Sequence, residues 1–170
     1  MKHIFLLSFI LLSIHSFSQK KDATPADLKD LPGKWVGKLI YSDYKDDTTQ
    51  VSLQTLIQIS SSGDSMLMNI TYIEPNGKKV NEKSSMRIYN EGKNVFYDGY
   101  EFDIVRVIRK GDRLTIIVER EGMDNDKDSD IRETFIIGPA NLNIKKEVRY
   151  VGAGRYFTRN TIQVAKDISN

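Results

Sequence analysis

The two histidines of this chain, His3 and His15, lie within its first eighteen residues, and it contains no cysteine. Beyond residue 18 the side chains available for chemistry are therefore carboxylates, hydroxyls, phenols and cations. That inventory excludes Ser-His-Asp and Cys-His nucleophilic catalysis. It also excludes zinc, copper, haem and iron–sulfur centres that rely on His or Cys ligands. Among the acids, Glu101 with Asp103 and Glu119 with Glu121 stand two apart, on one face of an extended segment. Glycoside hydrolysis uses paired acids, but the same spacing also describes the wet face of a strand. Residues 124–130 carry Asp at 124, 126, 128 and 130, like the opening of a calcium loop. Ser129 then stands where that loop needs Gly, and Phe135 where it needs Glu, so the segment reads as a solvated hairpin tip. Arg106 and Lys146 sit among apolar neighbours, where each would either bind an anion or pair with an interior acid such as Glu133. No residue takes a catalytic or metal-binding role in this reading, and no cofactor or enzymatic activity is expected.

The first eighteen residues have the layout of a secretory signal peptide. Lys2 and His3 open it, Ile4 to Ile14 is almost wholly apolar, and Ser16-Phe17-Ser18 supplies a small-x-small cleavage site. The apolar run is shorter than the ~20 residues a membrane-crossing helix needs, so stable membrane insertion is not expected. The absence of Cys rules out a lipoprotein-type leader. A chain cleaved there is secreted or periplasmic, lacks both histidines, and must be held together by burial alone. The 25 basic and 23 acidic residues nearly balance, and the leader holds only one of the basic ones. That balance gives no electrostatic reason to expect nucleic acid or an anionic membrane as a partner. Protein partners are not legible.

Residues 19–32 read as a short segment with one helical turn. Thr24 is a capping residue, Pro25 suits the first helical position, and Asp27 completes a capping-box-like pair. Leu28 and Leu31 share a face, and Pro32-Gly33 ends the turn. From Gly33 onward the period is two. Apolar residues alternate with polar ones in ten runs: 34–42, 49–60, 65–74, 78–90, 94–98, 100–109, 113–121, 130–138, 142–151 and 155–165. Turn residues such as Pro75-Asn76-Gly77 and Lys110-Gly111-Asp112 separate them. Alternation of this kind marks antiparallel strands with one face in water. In the run 100–109, Phe102 and Ile104 have one parity and Val105 and Val107 the other, which a bulge near Ile104 or Arg106 would reconcile. The fold class is all-β: an antiparallel meander closed into a barrel of about 8–10 strands over residues 33–168, with a β-sandwich as the alternative.

The segment Gly33-Lys34-Trp35, after a helical turn and opening the first strand, resembles the Gly-x-Trp start of lipocalins and their calycin relatives. The resemblance implies a barrel whose floor is closed by Trp35, with an arginine of the last strand packed over the indole. Arg159 is the residue that matches, and Arg155 the fallback. It also implies an extracytoplasmic protein that binds a small, apolar ligand. Met66, Met68, Tyr72, Phe102, Tyr150 and Tyr156 are the cavity-lining candidates, since thioethers conform to a ligand and phenols offer a polar handle. The alternatives are a filled core acting through its surface, or a carboxylate-dependent hydrolase with two acids facing each other across one cleft.

Overall fold

The computed structural model describes residues 22–43 and 49–169. The leader expected over 1–18 lies outside the described residues. Ten antiparallel strands follow one another around a closed barrel: β1 (Gly33–Ser42), β2 (Gln50–Ser62), β3 (Ser65–Ile73), β4 (Lys79–Tyr89), β5 (Asn94–Tyr97), β6 (Tyr100–Lys110), β7 (Arg113–Asp124), β8 (Lys127–Ile137), β9 (Asn141–Tyr150) and β10 (Phe157–Lys166). Each strand pairs with its neighbours in sequence, and β1 pairs with β10, Trp35 facing Lys166 and Tyr41 facing Asn160. The ten alternating runs correspond to these ten strands, and closure decides for the barrel over the sandwich. The β7–β8 hairpin is longer than its acidic composition suggested, because Asn125 and Asp126 both take positive φ (50° and 59°) and make the turn in two residues.

Two bulges matter for what points inward. In β6 the register shifts between Ile104 and Arg106, leaving Val105 unpaired and exposed and keeping Phe102 and Val107 inside. The parity conflict in the sequence has this cause, and Arg106 stays outside. In β10 the register shifts between Thr158 and Asn160, so the extra residue, Arg159, is turned into the barrel.

The barrel has a floor and a mouth. The floor lies where β1 begins and β10 ends. A 3-10 turn at Pro25–Leu28 crosses it, and Ala23, Leu28, Leu31 and Trp35 are fully buried there. The Asp27 carboxylate accepts from the Thr24 N–H (2.7 Å) and hydroxyl (2.9 Å), fixing the turn, and Arg109 ties it to β6 at 2.8 Å. The segment passes so close to the wall that a Cβ on Gly92 (φ +84°) would meet the Ala23 carbonyl at 2.1 Å, which requires glycine at this position.

The closing pair implied by the resemblance needs a correction. Trp35 does sit in the floor, donating from Nε1 to the Leu31 carbonyl at 2.8 Å. The cation over its ring is Lys166, with Nζ 5.2 Å from the centroid, rather than Arg159. The reason is register: Trp35 faces Lys166 across the seam, and Arg159 lies toward the other end of β10. Gly37, two residues beyond Trp35, lies against the backbone of β10. A Cβ there would strike the Gln163 carbonyl of β10 at 2.0 Å, so this glycine admits the neighbouring backbone.

Candidate functional site

The inward face of each strand continues from floor to mouth, but its chemistry changes on the way. Near the floor it is Ile59, Met66, Met68, Met86, Ile88 and Val95, all buried. Toward the mouth the same parity brings in ionisable groups: Glu82 on β4, Arg120 on β7, Glu133 on β8 and Lys146 on β9. These residues surround a cavity of about 440 Å³. Leu39, Leu53, Ile70, Ile144 and Ile162 form its apolar side, and Tyr72, Tyr97 and Phe102 supply aromatic wall. Tyr97 is braced edge-on against Phe135, with centroids 4.9 Å apart.

One side of the cavity is a closed ionic network. Asp124, at the end of β7, turns inward and takes Arg159 through Nη2 at 2.7 Å and Nε at 3.1 Å. Lys146 reaches its other oxygen at 3.2 Å. Tyr150 accepts from Arg159 Nη2 at 2.6 Å. Asp124 and Arg159 are almost fully buried, so their mutual pairing and the added bonds are what make their burial tolerable. The bulge in β10 and the tight Asn125–Asp126 turn bring the two side chains together.

The opposite side is acidic and lacks that closure. Glu133 is 6% exposed and lines the cavity, and no hydrogen bond or ion pair engages its carboxylate. Burial pushes its pKa up to about 8, with Asp98 adding to the rise and Lys146 and Arg120 opposing it. Tyr97 is held well above the ordinary phenol range by burial, then by Glu133, Asp98, Tyr72 and Glu82. Tyr72 is raised by burial and by the Glu82 carboxylate beside its hydroxyl. Glu82 and Asp98 themselves are exposed at the mouth. Arg120 stacks on Tyr100 (4.0 Å) and Phe102 (5.2 Å) and donates from Nη1 to the Glu121 carbonyl, while its Nε is buried without a partner. The Ser84 hydroxyl, also on the cavity wall, is likewise buried without a partner.

Of the six lining candidates, Tyr72 and Phe102 line this cavity. Met66 and Met68 are packed in the floor half, because β3 begins there. Tyr150 serves the ionic network. Tyr156 stands outside the wall, its ring 4.0 Å from the Arg132 guanidinium and 4.9 Å from that of Arg149. Beyond those candidates, three cations and several acids share the lining. Asp124 and Asp130 do not act together as a cation loop would need: Asp124 faces inward and Asp130 is bound by Arg149 at 2.7 Å outside. Glu119 is likewise taken up on the outer face, by Arg132 at 2.6 Å.

Sequence reasoning did not single out Glu133, Glu82, Asp98 or Tyr97 as site residues. The signal for Glu133 was present, since it shares parity with Ile131, Phe135 and Ile137. An acid in an apolar row is a buried acid.

No family model matches the chain and no curated protein matches it in sequence. Among solved structures, Rv2717c from M. tuberculosis is 12% identical with a TM-score of 0.60, over 85% of this chain and 99% of that one. Lobster apocrustacyanin A1 is 10% identical with a TM-score of 0.41, over 84% of this chain and 63% of the other. At these identities what is shared with Rv2717c is the fold alone, and the fold of this chain is a closed antiparallel barrel.

Proposed function

We propose that this protein is a binding module that takes one small molecule, apolar over most of its surface, into the mouth half of the barrel. The observation that carries this reading is the cavity of about 440 Å³ in a barrel whose other half is filled to the floor. A ten-stranded barrel has interior to spare beyond what its side chains must fill, and here the spare volume is gathered at one end, where aliphatic and aromatic walls share the lining with acids and cations. A concave site with apolar walls is what small-molecule sites have in common, and the charged groups would fix a ligand's orientation. The signal-like leader over 1–18 supports work outside the cytoplasm, with the turn at Pro25–Leu28 covering the floor and residues 33–168 forming the binding domain.

Native mass spectrometry of residues 20–170 recovered from the host's periplasm or medium tests the reading. The expected result is a reproducible excess mass that vanishes on denaturation and is absent from Ile144→Trp, which fills the cavity. A bare polypeptide mass for the wild-type protein, together with no small-molecule probe binding in solution, would overturn it.

A second reading has one observation in its favour. Glu133 on β8, Glu82 on β4 and Asp98 in the turn after β5 surround one cavity, and a buried acid with raised pKa beside further acids is the equipment of acid–base hydrolysis. Turnover of glycoside or ester substrates that is lost in Glu133→Gln would establish it, and an inert screen would remove it.

A further inference from the structure

Resting on that binding reading, we infer that the ligand carries a cationic amine, lodged on Glu133 and approached past Glu82 and Asp98, with the rings of Tyr72 and Tyr97 beside it. A buried carboxylate without a hydrogen bond or ion pair is costly, and Glu133 is such a group, aimed into the cavity. The cations near it are already engaged. Arg159 and Lys146 share Asp124, and Arg120 lies on Tyr100 with Nη1 on the Glu121 carbonyl. The acids are not balanced in the same way. Glu82 and Asp98 stand exposed at the mouth and would draw a cation to the entrance, with Glu133 deeper in the same cavity. Among the described residues no three acids converge closely enough to hold a metal ion, so the spacing suits a charge on an organic body. Phenol rings add attraction for an ammonium.

The groups that face Glu133 are Lys146 on β9, Arg120 on β7, Asp98 after β5, Tyr97 on β5 and, farther round, Tyr72 and Glu82. Below about pH 8 Glu133 holds a proton in the empty cavity. An alkylammonium that forms the pair displaces that proton to solvent: the ligand keeps its own three N–H protons, and the carboxyl O–H bond is the one that breaks. Amine affinity therefore rises with pH toward that value.

Octylammonium, 1-octanol and octanoate share one apolar body and differ in head group, and titration calorimetry of each into the mature protein at neutral pH decides the matter. Octylammonium is expected to bind about tenfold or more tightly than octanol, releasing about one proton when the titration is repeated in buffers of different ionisation enthalpy. Octanoate tests the unpartnered Arg120 Nε and is expected to bind most weakly. Glu133→Gln should abolish the proton release and the amine preference, so that octylammonium binds no more tightly than octanol to the variant. Glu82→Gln, at the exposed mouth, should weaken the amine only about twofold to threefold, and it serves as the second variant should Glu133→Gln not fold. Octanol or octanoate binding as tightly as the amine to the wild type would overturn the inference and leave the binding reading standing. Binding of none of the three would take both down.

Discussion

The floor and the mouth of this barrel are made from the same ten strands by the same alternation, yet they are stabilised in different ways. At the floor the inward row is aliphatic, methionine and Trp35, and the polar contacts lie around its rim: the indole N–H on the Leu31 carbonyl, Asp27 on its turn and on Arg109, and Lys166 on the Asp30 carbonyl. At the mouth the inward row carries charge, and stability depends on whether each charge is answered. Asp124 is answered twice, by Arg159 and Lys146, whereas Glu133 has no bonded partner and is held up in pKa instead. A half optimised for packing thus sits beneath a half that carries an unmet electrostatic demand. Regions that accept such a cost are where binding sites are found.

The comparison can be broken most severely at the floor. Trp35→Ala removes the largest fully buried side chain and frees the Leu31 carbonyl, so a loss of about 3–5 kcal/mol is expected from urea unfolding. At the mouth, Arg159→Ala leaves Asp124 buried with only Lys146 and the Tyr150 hydroxyl and should cost about 3 kcal/mol. The double change Arg159→Met with Asp124→Leu should recover most of that. Equal damage from the single and double variants would show that packing, not pairing, governs this end as well.

Glu133 makes a prediction with a sign. Its folded pKa lies above the unfolded value, so the folded state holds more protons between about pH 4.5 and 8, and stability must fall as pH rises through that window. Glu133→Gln should remove this slope and be more stable than wild type by on the order of 3 kcal/mol at neutral pH. Urea midpoints measured across the window would show the two curves diverging with rising pH and meeting at its acid end. The smallest effect is at the floor's turn. Asp27, held below the usual carboxylate range by Thr24 and Arg109 against the opposing effect of burial, should cost about 1 kcal/mol on Asp27→Ala. That contribution is lost as pH falls through its lowered pKa, the opposite direction to Glu133.

Much of the fold was legible because one face of every strand is wet. Alternation through Met66, Met68 and Ile70, or Leu114, Ile116 and Val118, marks both the strand and its inner face, and the clash at Val105 betrays its bulge. The turn at Thr24-Pro25-Asp27 was legible for a local reason too, since its partners are three residues apart. The site was less so. Arg159 reaches Asp124 only because β10 bulges beside it, and the sign of that shift in the run 155–165 is slight: Phe157 has one parity, Ile162 and Val164 the other. The resemblance assigned its arginine to Trp35, at the wrong end. Whether the inward row is filled or hollow depends on how strands far apart in the chain are staggered around the barrel, which no local pattern encodes. Glu133 fell between these cases: it was visible as an interior acid and a partner for Arg106 or Lys146, but Lys146 pairs with Asp124 and Arg106 stays outside.

The seam where β1 meets β10 also bears on how the molecule is made. Every other pairing joins consecutive strands and can form as soon as a hairpin is complete, but this one unites the first strand to emerge from the ribosome with the last. Until β10 arrives, β1 and β9 each present a bare row of backbone donors and acceptors that another chain could pair with. Growth from the N-terminus therefore carries an exposed, sticky intermediate nearly to completion, and a truncation of a dozen residues at the C-terminus would make that intermediate permanent.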